Sequence, residues 1–81
     1  MERKKYLQLC QRASCKPGYA TAWWTANWET DDLVRWKGDL YVPYDFRFGF
    51  RKGDATGIAM IRSTRTHNAI DVPLKEVEEA I

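Results

Sequence analysis

Residues 33–51, LVRWKGDLYVPYDFRFGFR, contain the clearest strand pattern in the chain and decide its fold class. From residue 40 onward, large apolar side chains alternate with others, which is the period of a β-strand with one covered face. The side predicted to face the core carries Val42, Tyr44, Phe46, Phe48 and Phe50. Asp45, Arg47 and Arg51 fall on the other side. Aromatic residues that stack on nucleic-acid bases would share a face with the arginines, so we predict that these aromatic residues form core instead.

Shorter strands are predicted on both sides of this long strand at 40–51. Residues 33–36 precede it, and Lys37-Gly38-Asp39 has the composition of a tight hairpin turn. Two more strands are predicted at 56–62 and 69–72. A helical turn then follows, because a proline at position 73 suits the first position of a helix. The side chains predicted to share the inner side of that turn are Leu74, Val77 and Ile81.

The N-terminal part of the chain predicts a helix rather than a strand. Within residues 3–14, the apolar side chains recur at helical spacing and form one stripe. That stripe consists of Tyr6, Leu9, Cys10 and Ala13. Pro17 and Gly18 end the helix, and residues 16–32 hold three of the four tryptophans, among alanines and threonines. The spacing of these tryptophans fits either a helix or a strand, so the conformation of this segment stays open.

These elements predict a single domain over residues 1–81, of the α+β class and mainly β. A small sheet hides its unpaired edges by curling shut, so the predicted architecture is a small barrel of four to five antiparallel strands. The barrel takes up residues 33–77, with an N-terminal helix at 3–14 and a short C-terminal helical turn. Residues 16–32 are predicted to be a Trp-rich insertion between the helix and the barrel.

The stretches VRWKGDLYVPYDFRFGF, GIAMIRS and AIDVPLKEVEEA together resemble an SH3-like barrel, in which the last strand runs into a short helical turn. With KKYLQLCQRAS ahead of this β-region, the chain is also similar to small proteins encoded by phages and prophages of Gram-positive bacteria. The resemblance covers residues 3–15 and 33–78. It implies the fold and a mobile-element origin, and it brings no catalytic or binding residues with it. Residues 16–32 depart from the pattern.

The sequence offers few residues for catalysis or metal binding. It has one histidine, two cysteines and no Gly-rich phosphate loop, and its adjacent acidic pairs point apart on a helix or a strand. A structural zinc site needs four ligands at recognisable spacing. We therefore expect a non-enzymatic protein with no metal and no cofactor. No apolar run is long enough to span a membrane, so we expect a cytoplasmic protein, in the bacterial host if it is phage-encoded.

Charge is distributed in blocks that suit a nucleic-acid partner. Residues 1–18 and 35–67 each carry a net charge of +4, and residues 19–34 and 68–81 each carry −3. Small barrels hold nucleic-acid strands with basic residues on one sheet face and in nearby loops. The basic residues that could form such a face are Arg35, Lys37, Arg47, Arg51, Lys52, Arg62 and Arg65. Alternatively, these residues keep the outer sheet hydrated and prevent edge-to-edge pairing.

The tryptophans indicate a protein partner. One small barrel core does not comfortably hold all four beside its other large side chains, so we expect one or two to be partly exposed and to anchor an interface. The candidates are Trp23, Trp24, Trp28 and Trp36. The alternative is that the three tryptophans of residues 16–32 attach the insertion and the helix to the barrel. A homodimer would offer another place for the same side chains.

We therefore predict an accessory binding module of a phage or prophage that contacts a protein or a nucleic acid. Two alternatives stay open. The chain could be an anti-defence protein that inhibits a host immune factor or sequesters a nucleotide signal. It could also be a purely structural or homo-oligomeric small domain.

Overall fold

Helix α1 spans Arg3–Ser14 in the computed structural model, which describes residues 1–47 and 57–81 of the chain. The predicted boundaries of this helix are confirmed. The side chains that it buries are Tyr6, Leu9 and Ala13, and Cys10 is half-buried beside them. The predicted apolar stripe is therefore the face that packs on the sheet. No helix within the described ranges is both long enough and apolar enough to cross a membrane.

Within the described residues, five strands form one antiparallel sheet in the order β4-β3-β2-β1-β5. Their bounds are β1 Val34–Trp36, β2 Asp39–Arg47, β3 Ile58–Ser63, β4 Ala69–Pro73 and β5 Glu78–Glu79. The four predicted strands overlap β1 to β4, and β5 has no counterpart in the prediction. The α+β class and the antiparallel sheet are thus confirmed. Over the described residues the sheet is open, with β4 and β5 at its edges, and it does not close into a barrel.

A tight turn joins β1 to β2, as the Lys-Gly-Asp sequence predicts. Lys37 and Gly38 have φ angles of 48° and 83°. Both central residues of a type I′ hairpin turn need a positive φ, which glycine adopts at little cost. The turn sets Trp36 opposite Asp39 and thereby fixes the register of the two strands.

A β-bulge in β2 changes which side chains face the core. Val42 and Pro43 are both buried, and the register with β3 shifts between Pro43 and Asp45. A bulge adds one residue to one strand, so the alternation of sides restarts after it. Tyr44 is 38% exposed, and the prediction that it points into the core is therefore wrong. Phe46 packs half-buried against the core, as predicted. The predictions that lie outside the described residues are those for Phe48, Phe50, Arg51 and Lys52.

After β4 the chain makes one 3₁₀ turn at Leu74–Glu76 and then returns as β5 beside β1. Leu74 and Val77 are buried, as predicted. Ile81 is 83% exposed, so the prediction that it shares their inner side is wrong. A continued helix would have brought it there, but the helical turn ends at Glu76 and the chain becomes extended.

Residues 16–32 form a short helix and two 3₁₀ turns. Helix α2 spans Tyr19–Ala22, and the turns span Trp23–Thr25 and Thr30–Asp32. The helical alternative is therefore the one that the first part of this segment adopts. Trp23 packs in a second hydrophobic cluster, whose other buried members are Ala13, Leu33, Val42 and Ala80.

The buried carboxylate of Asp32 connects this segment to α1. One of its oxygens lies 2.6 Å from Lys16 Nζ and the other lies 2.9 Å from Arg12 Nη2. It also accepts a hydrogen bond from the backbone N–H of Glu29, with an N···O distance of 3.1 Å. A buried carboxylate needs such partners because it has lost its hydration. The three contacts hold the start and the end of the segment together.

Candidate functional site

Three aromatic rings surround the guanidinium group of Arg62 on β3. Its Cζ atom lies 3.7 Å from the ring centroid of Tyr44, 5.2 Å from that of Trp23 and 5.8 Å from that of Tyr19. A guanidinium group is attracted to the negative face of an aromatic ring, more strongly where water is excluded. Because Arg62 is also half-buried, the rings hold its side chain at one place on the sheet.

Separate parts of the fold bring these rings to Arg62. In the β2–β3 register, Val42 lies directly opposite Arg62, and Tyr44, two residues further along β2, reaches the same guanidinium group from an exposed position. Helix α2 carries Tyr19, and the adjoining 3₁₀ turn carries Trp23. Trp23 reaches the sheet because it packs in the same buried cluster as Val42. The arrangement therefore depends on the pairing of β2 with β3 and on the docking of residues 16–32.

Trp24 and His67 extend this cluster to the surface. Their rings are stacked, with centroids 5.5 Å apart and planes inclined by 21°. Trp23 meets both rings edge-on, at 6.1 Å from Trp24 and 5.6 Å from His67. Trp24 is 51% exposed, whereas Trp23 is 8% exposed. Trp24 thus presents a ring that its neighbours support but leave open to solvent.

The loop between β3 and β4 holds His67 in an uncommon backbone conformation. The φ angle of His67 is 66°, in the left-handed region, where histidine is more frequent than most residues. Its N–H donates to the carbonyl of Ser63 at 3.1 Å, and the N–H of Ser63 donates to the carbonyl of Asn68 at 2.9 Å. These bonds close the loop and place His67 against Trp24. We use the name Arg62 patch for Tyr19, Trp23, Trp24, Tyr44, Arg62 and His67.

Arg62 differs from Arg47 and Arg65 because its side-chain neighbours are aromatic rings rather than carboxylate oxygens. Over residues 1–47 and 57–81, no carboxylate oxygen lies within 4.0 Å of its nitrogen atoms. Burial raises the pKa of the Tyr19 hydroxyl, and the positive charge of Arg62 opposes that rise. The patch therefore carries a positive charge with no ion-pair partner in the described part of the chain.

Two of the predicted tryptophans lie outside the patch. Trp28 donates its Nε1–H to the backbone carbonyl of Trp23 at 2.8 Å. Trp36, on β1, donates its Nε1–H to Oε1 of Glu76 at 3.3 Å. Both are half-buried. Among the four tryptophans, Trp24 is therefore the one that the fold leaves most exposed.

Two of the predicted basic residues form ion pairs across the sheet and its turns. Arg47 pairs with Asp71, and Nη2 of Arg65 lies 3.1 Å from Oδ2 of Asp39. Each arginine contributes less net charge to its surroundings because a carboxylate lies beside it. The pairs lie near the surface, where such contacts contribute up to about 1 kcal/mol to stability.

Arg35 and Lys37, the predicted basic residues at the first hairpin, contact the hairpin itself and the C-terminal end of the chain. Arg35 donates to the carbonyl of Gly38 at 3.3 Å and to that of Ala80 at 3.2 Å. Lys37 places its Nζ atom 4.8 Å from the ring centroid of Trp36. These two side chains therefore support the hairpin and the C-terminus. The predicted binding residues Arg51 and Lys52 lie outside the described residues.

Three acidic side chains in residues 29–32 come close enough to be compared with a metal site. One carboxylate oxygen each from Glu29, Asp31 and Asp32 lie within 4.8 Å of one another. Arg12 contacts both aspartates, at 3.2 Å from Asp31 and 2.9 Å from Asp32, and Lys16 also contacts Asp32. These two positive side chains offset the charges of the two aspartates, so we interpret the cluster as an ion-pair network.

Sequence reasoning missed three members of the Arg62 patch. The alternation around Tyr44 predicts a position in the core. A proline inside a central strand is a signal for a bulge, so Pro43 could have indicated that the alternation is interrupted next to Tyr44. Tyr19 and His67 lie in segments without periodicity, and no sequence signal identifies them.

Comparison of the chain with protein-family models, with curated proteins and with solved structures gives no match. Function must therefore be inferred from the geometry of the patch, in which Trp23 contacts both the exposed Trp24 and Arg62.

Proposed function

We propose that this chain is a non-enzymatic binding module that contacts a protein partner through the Arg62 patch. The observation that carries the proposal is Trp24, whose ring is 51% exposed although it is stacked on His67 and touched edge-on by Trp23. Tryptophan, tyrosine and arginine are the residue types most enriched among the side chains that dominate binding energy at protein interfaces. The patch combines all three.

The supporting contacts of Trp24 favour binding for an entropic reason. Ordering a mobile side chain at an interface costs about 0.5–1.5 kcal/mol. Trp23 and His67 already restrict the Trp24 ring before a partner arrives. The exposed area of Trp24 can then be buried with little further ordering.

A nucleic-acid partner is the second candidate, and a pocket beside the first hairpin favours it. Arg35 and Arg65 line this pocket of about 300 Å³ together with Ser63 and Thr64. Arginine and hydroxyl side chains commonly contact phosphate groups. However, Asp39 lines the same pocket and pairs with Arg65, which reduces the attraction for phosphate. We therefore rank a protein partner first.

The SH3-like relationship and the phage or prophage origin are part of the same proposal. They rest on the resemblance of the β-region and of the preceding helix to such proteins. The pairing of the last strand, β5, with the first strand, β1, supports the fold relationship because it brings the two ends of the β-region together. Inhibition of a host immune factor would be one form of the proposed protein contact.

Affinity capture from a bacterial host lysate, with the chain as bait, tests this function. We expect the wild-type protein to retain a partner. Trp24→Ala should bind that partner with about thirtyfold lower affinity, which is the effect of removing a dominant interface side chain. Leu7→Ala is the matched control, because Leu7 is 44% exposed on α1 and lies outside the patch. Equal capture by wild type and Trp24→Ala would contradict the proposal.

A further inference from the structure

The environment of Arg62 indicates what kind of group a partner brings to the patch. Two other arginines on the sheet or its loops pair with carboxylates of this chain, Arg47 with Asp71 and Arg65 with Asp39. Arg62 has aromatic neighbours instead. Within residues 1–47 and 57–81, the side-chain nitrogen atoms of Arg62 form no ion pair and no hydrogen bond.

The geometry of a guanidinium group explains why the aromatic rings leave its hydrogen-bond donors without acceptors. Its five N–H groups lie in one plane and point outward from the edge, whereas cation–π contacts are made with the flat faces. The Tyr44 ring, 3.7 Å from Cζ, interacts with the cation without accepting its in-plane hydrogen bonds. Rings that hold the group in place also preorganise the planar fork for an oxyanion.

We propose that Arg62 binds a carboxylate of the partner, so that the Arg62 patch recognises an acidic peptide segment. The aspartate or glutamate of that segment pairs with the guanidinium edge, and an adjacent apolar or aromatic side chain covers Trp24. Charge complementarity carries this assignment, since the patch has a positive charge without an ion-pair partner in the described chain. The inference rests on the proposed function and specifies the chemistry of its partner.

An acidic peptide fits the surroundings better than a nucleic-acid strand does. A strand presents a row of phosphates and is bound by several basic residues in series. The other described arginines of β2 and the β3–β4 loop, Arg47 and Arg65, have their charges paired with aspartates. Arg62, which has no ion-pair partner in the described part of the chain, and the exposed Trp24 both contact Trp23, an arrangement that matches one carboxylate near one apolar anchor.

Selection from a randomised dodecapeptide library, performed separately on wild type, Arg62→Met and Trp24→Ala, tests the proposal. We expect peptides selected on wild type to be enriched in aspartate or glutamate beside an aromatic, aliphatic or proline residue. On Arg62→Met the acidic enrichment should disappear while the apolar residue is retained. On Trp24→Ala the same peptides should not be selected.

A double-mutant cycle on one selected peptide then assigns the contact. Replacing its acidic residue by the corresponding amide should weaken binding to wild type about tenfold, as expected for a charge-assisted hydrogen bond. Arg62→Met should cause a similar loss, and the two changes together should cost little more than either alone. Arg62→Lys, which keeps the charge but not the planar fork, should weaken binding severalfold. Arg47→Met is the matched control and should leave affinity unchanged.

The two proposals fail in distinguishable ways. If no selected peptide depends on Trp24, the proposed function and this inference are both contradicted. If Trp24-dependent peptides carry no acidic enrichment, or if the cycle is additive in variants that circular dichroism shows to be folded, this inference alone is wrong. If oligothymidylate binds at low salt, depends on Arg62 and Trp24, and outcompetes the peptide, nucleic acid replaces the acidic peptide as the ligand class.

Discussion

At the scale of single residues, burial decides how much each charged group contributes to stability. Asp31 and Asp32 are adjacent in sequence and share Arg12 as a partner. Asp32 is 2% exposed, whereas the side chain of Asp31 is 48% exposed. Exposed ion pairs contribute up to about 1 kcal/mol, but breaking a buried one leaves an unpaired charge or acceptor behind. Of these two aspartates, we therefore expect only the replacement of Asp32 to lower the free energy of unfolding strongly.

The pH dependence of stability follows from the environment of Asp32. Burial by itself raises the pKa of this carboxyl, but hydrogen bonds from Lys16 and the Glu29 N–H, with the charges of Lys16 and Arg12, outweigh it and lower the pKa overall. The unfolded chain then binds more protons than the folded chain at acidic pH. The stabilisation is present above the unfolded pKa of about 4 and is lost as pH falls through the folded value.

Urea denaturation of Asp32→Asn at neutral and acidic pH measures this contribution. We expect the substitution to lower the free energy of unfolding by about 1–3 kcal/mol at neutral pH. The difference from wild type should shrink in acid, where the wild-type carboxyl is protonated. Asp31→Asn serves as the control and should cost less than about 1 kcal/mol. A variant Asp32→Asn with wild-type stability at neutral pH would show that the network does not stabilise the fold.

At the scale of secondary structure, local periodicity predicts the elements but not the bulge within β2. The stripe at helical spacing predicts α1, and Lys37-Gly38 predicts the first turn, because both signals lie within a few residues. The bulge after Pro43 depends on β3 and on α1, which are distant in sequence. Tyr44 stays on the side of Val42, where it contacts Arg62, whereas Phe46 turns to the opposite side, and neighbouring residues in the sequence do not reveal that change.

Tyr6 of α1 compensates for the backbone bonds that the bulge disrupts. Its hydroxyl oxygen lies 2.9 Å from the carbonyl oxygen of Asp45 and 2.8 Å from that of Met60, which face each other just after the bulge. The hydroxyl has one proton, which the two carbonyl acceptors share. Tyr6 is fully buried, so no bulk water can replace it there.

Tyr6→Phe should therefore destabilise the domain by about 1–3 kcal/mol, the cost of leaving a buried acceptor unpaired. In a domain of this size each kcal/mol lowers the melting temperature by about 4–8 °C. Thermal unfolding followed by circular dichroism measures the shift. Tyr41→Phe is the control, because Tyr41 is half-buried and its hydroxyl forms no hydrogen bond with residues 1–47 or 57–81. This substitution should change stability by less than about 0.5 kcal/mol. Equal melting temperatures for Tyr6→Phe and wild type would contradict this role of the hydroxyl.

At the scale of the whole molecule, the Trp-rich segment at residues 16–32 supplies half of the Arg62 patch. Residues 19–24 contribute three of its six members, and β2, β3 and the β3–β4 loop contribute the others. The patch exists because Trp23 docks residues 16–32 onto the sheet in the second hydrophobic cluster. Structure and candidate function therefore depend on the same segment.

The candidate site could be predicted from the sequence only in part. Tryptophan content indicates an exposed aromatic side chain, and the charge blocks include Arg62 among seven basic candidates. Which tryptophan is exposed depends on how α2 and its 3₁₀ turn pack, since Trp23 and Trp24 are adjacent and have opposite environments. That Arg62 contacts rings rather than a carboxylate depends on the pairing of β2 with β3 and on the docking of residues 19–23 beside the sheet. Both the exposure of Trp24 and the contacts of Arg62 depend on residues that are distant in sequence, so local sequence patterns do not predict them.

The free energies of unfolding of Trp24→Ala and Trp23→Ala, measured together by urea denaturation, test the central claim most directly. Trp23 is 8% exposed, so we expect its removal to cost about 3–5 kcal/mol or to unfold the chain. Removal of Trp24, which is 51% exposed, should cost less than about 1 kcal/mol, because its ring is available for a partner rather than for packing. If Trp24→Ala loses as much stability as Trp23→Ala, Trp24 belongs to the core and the patch is not a binding surface.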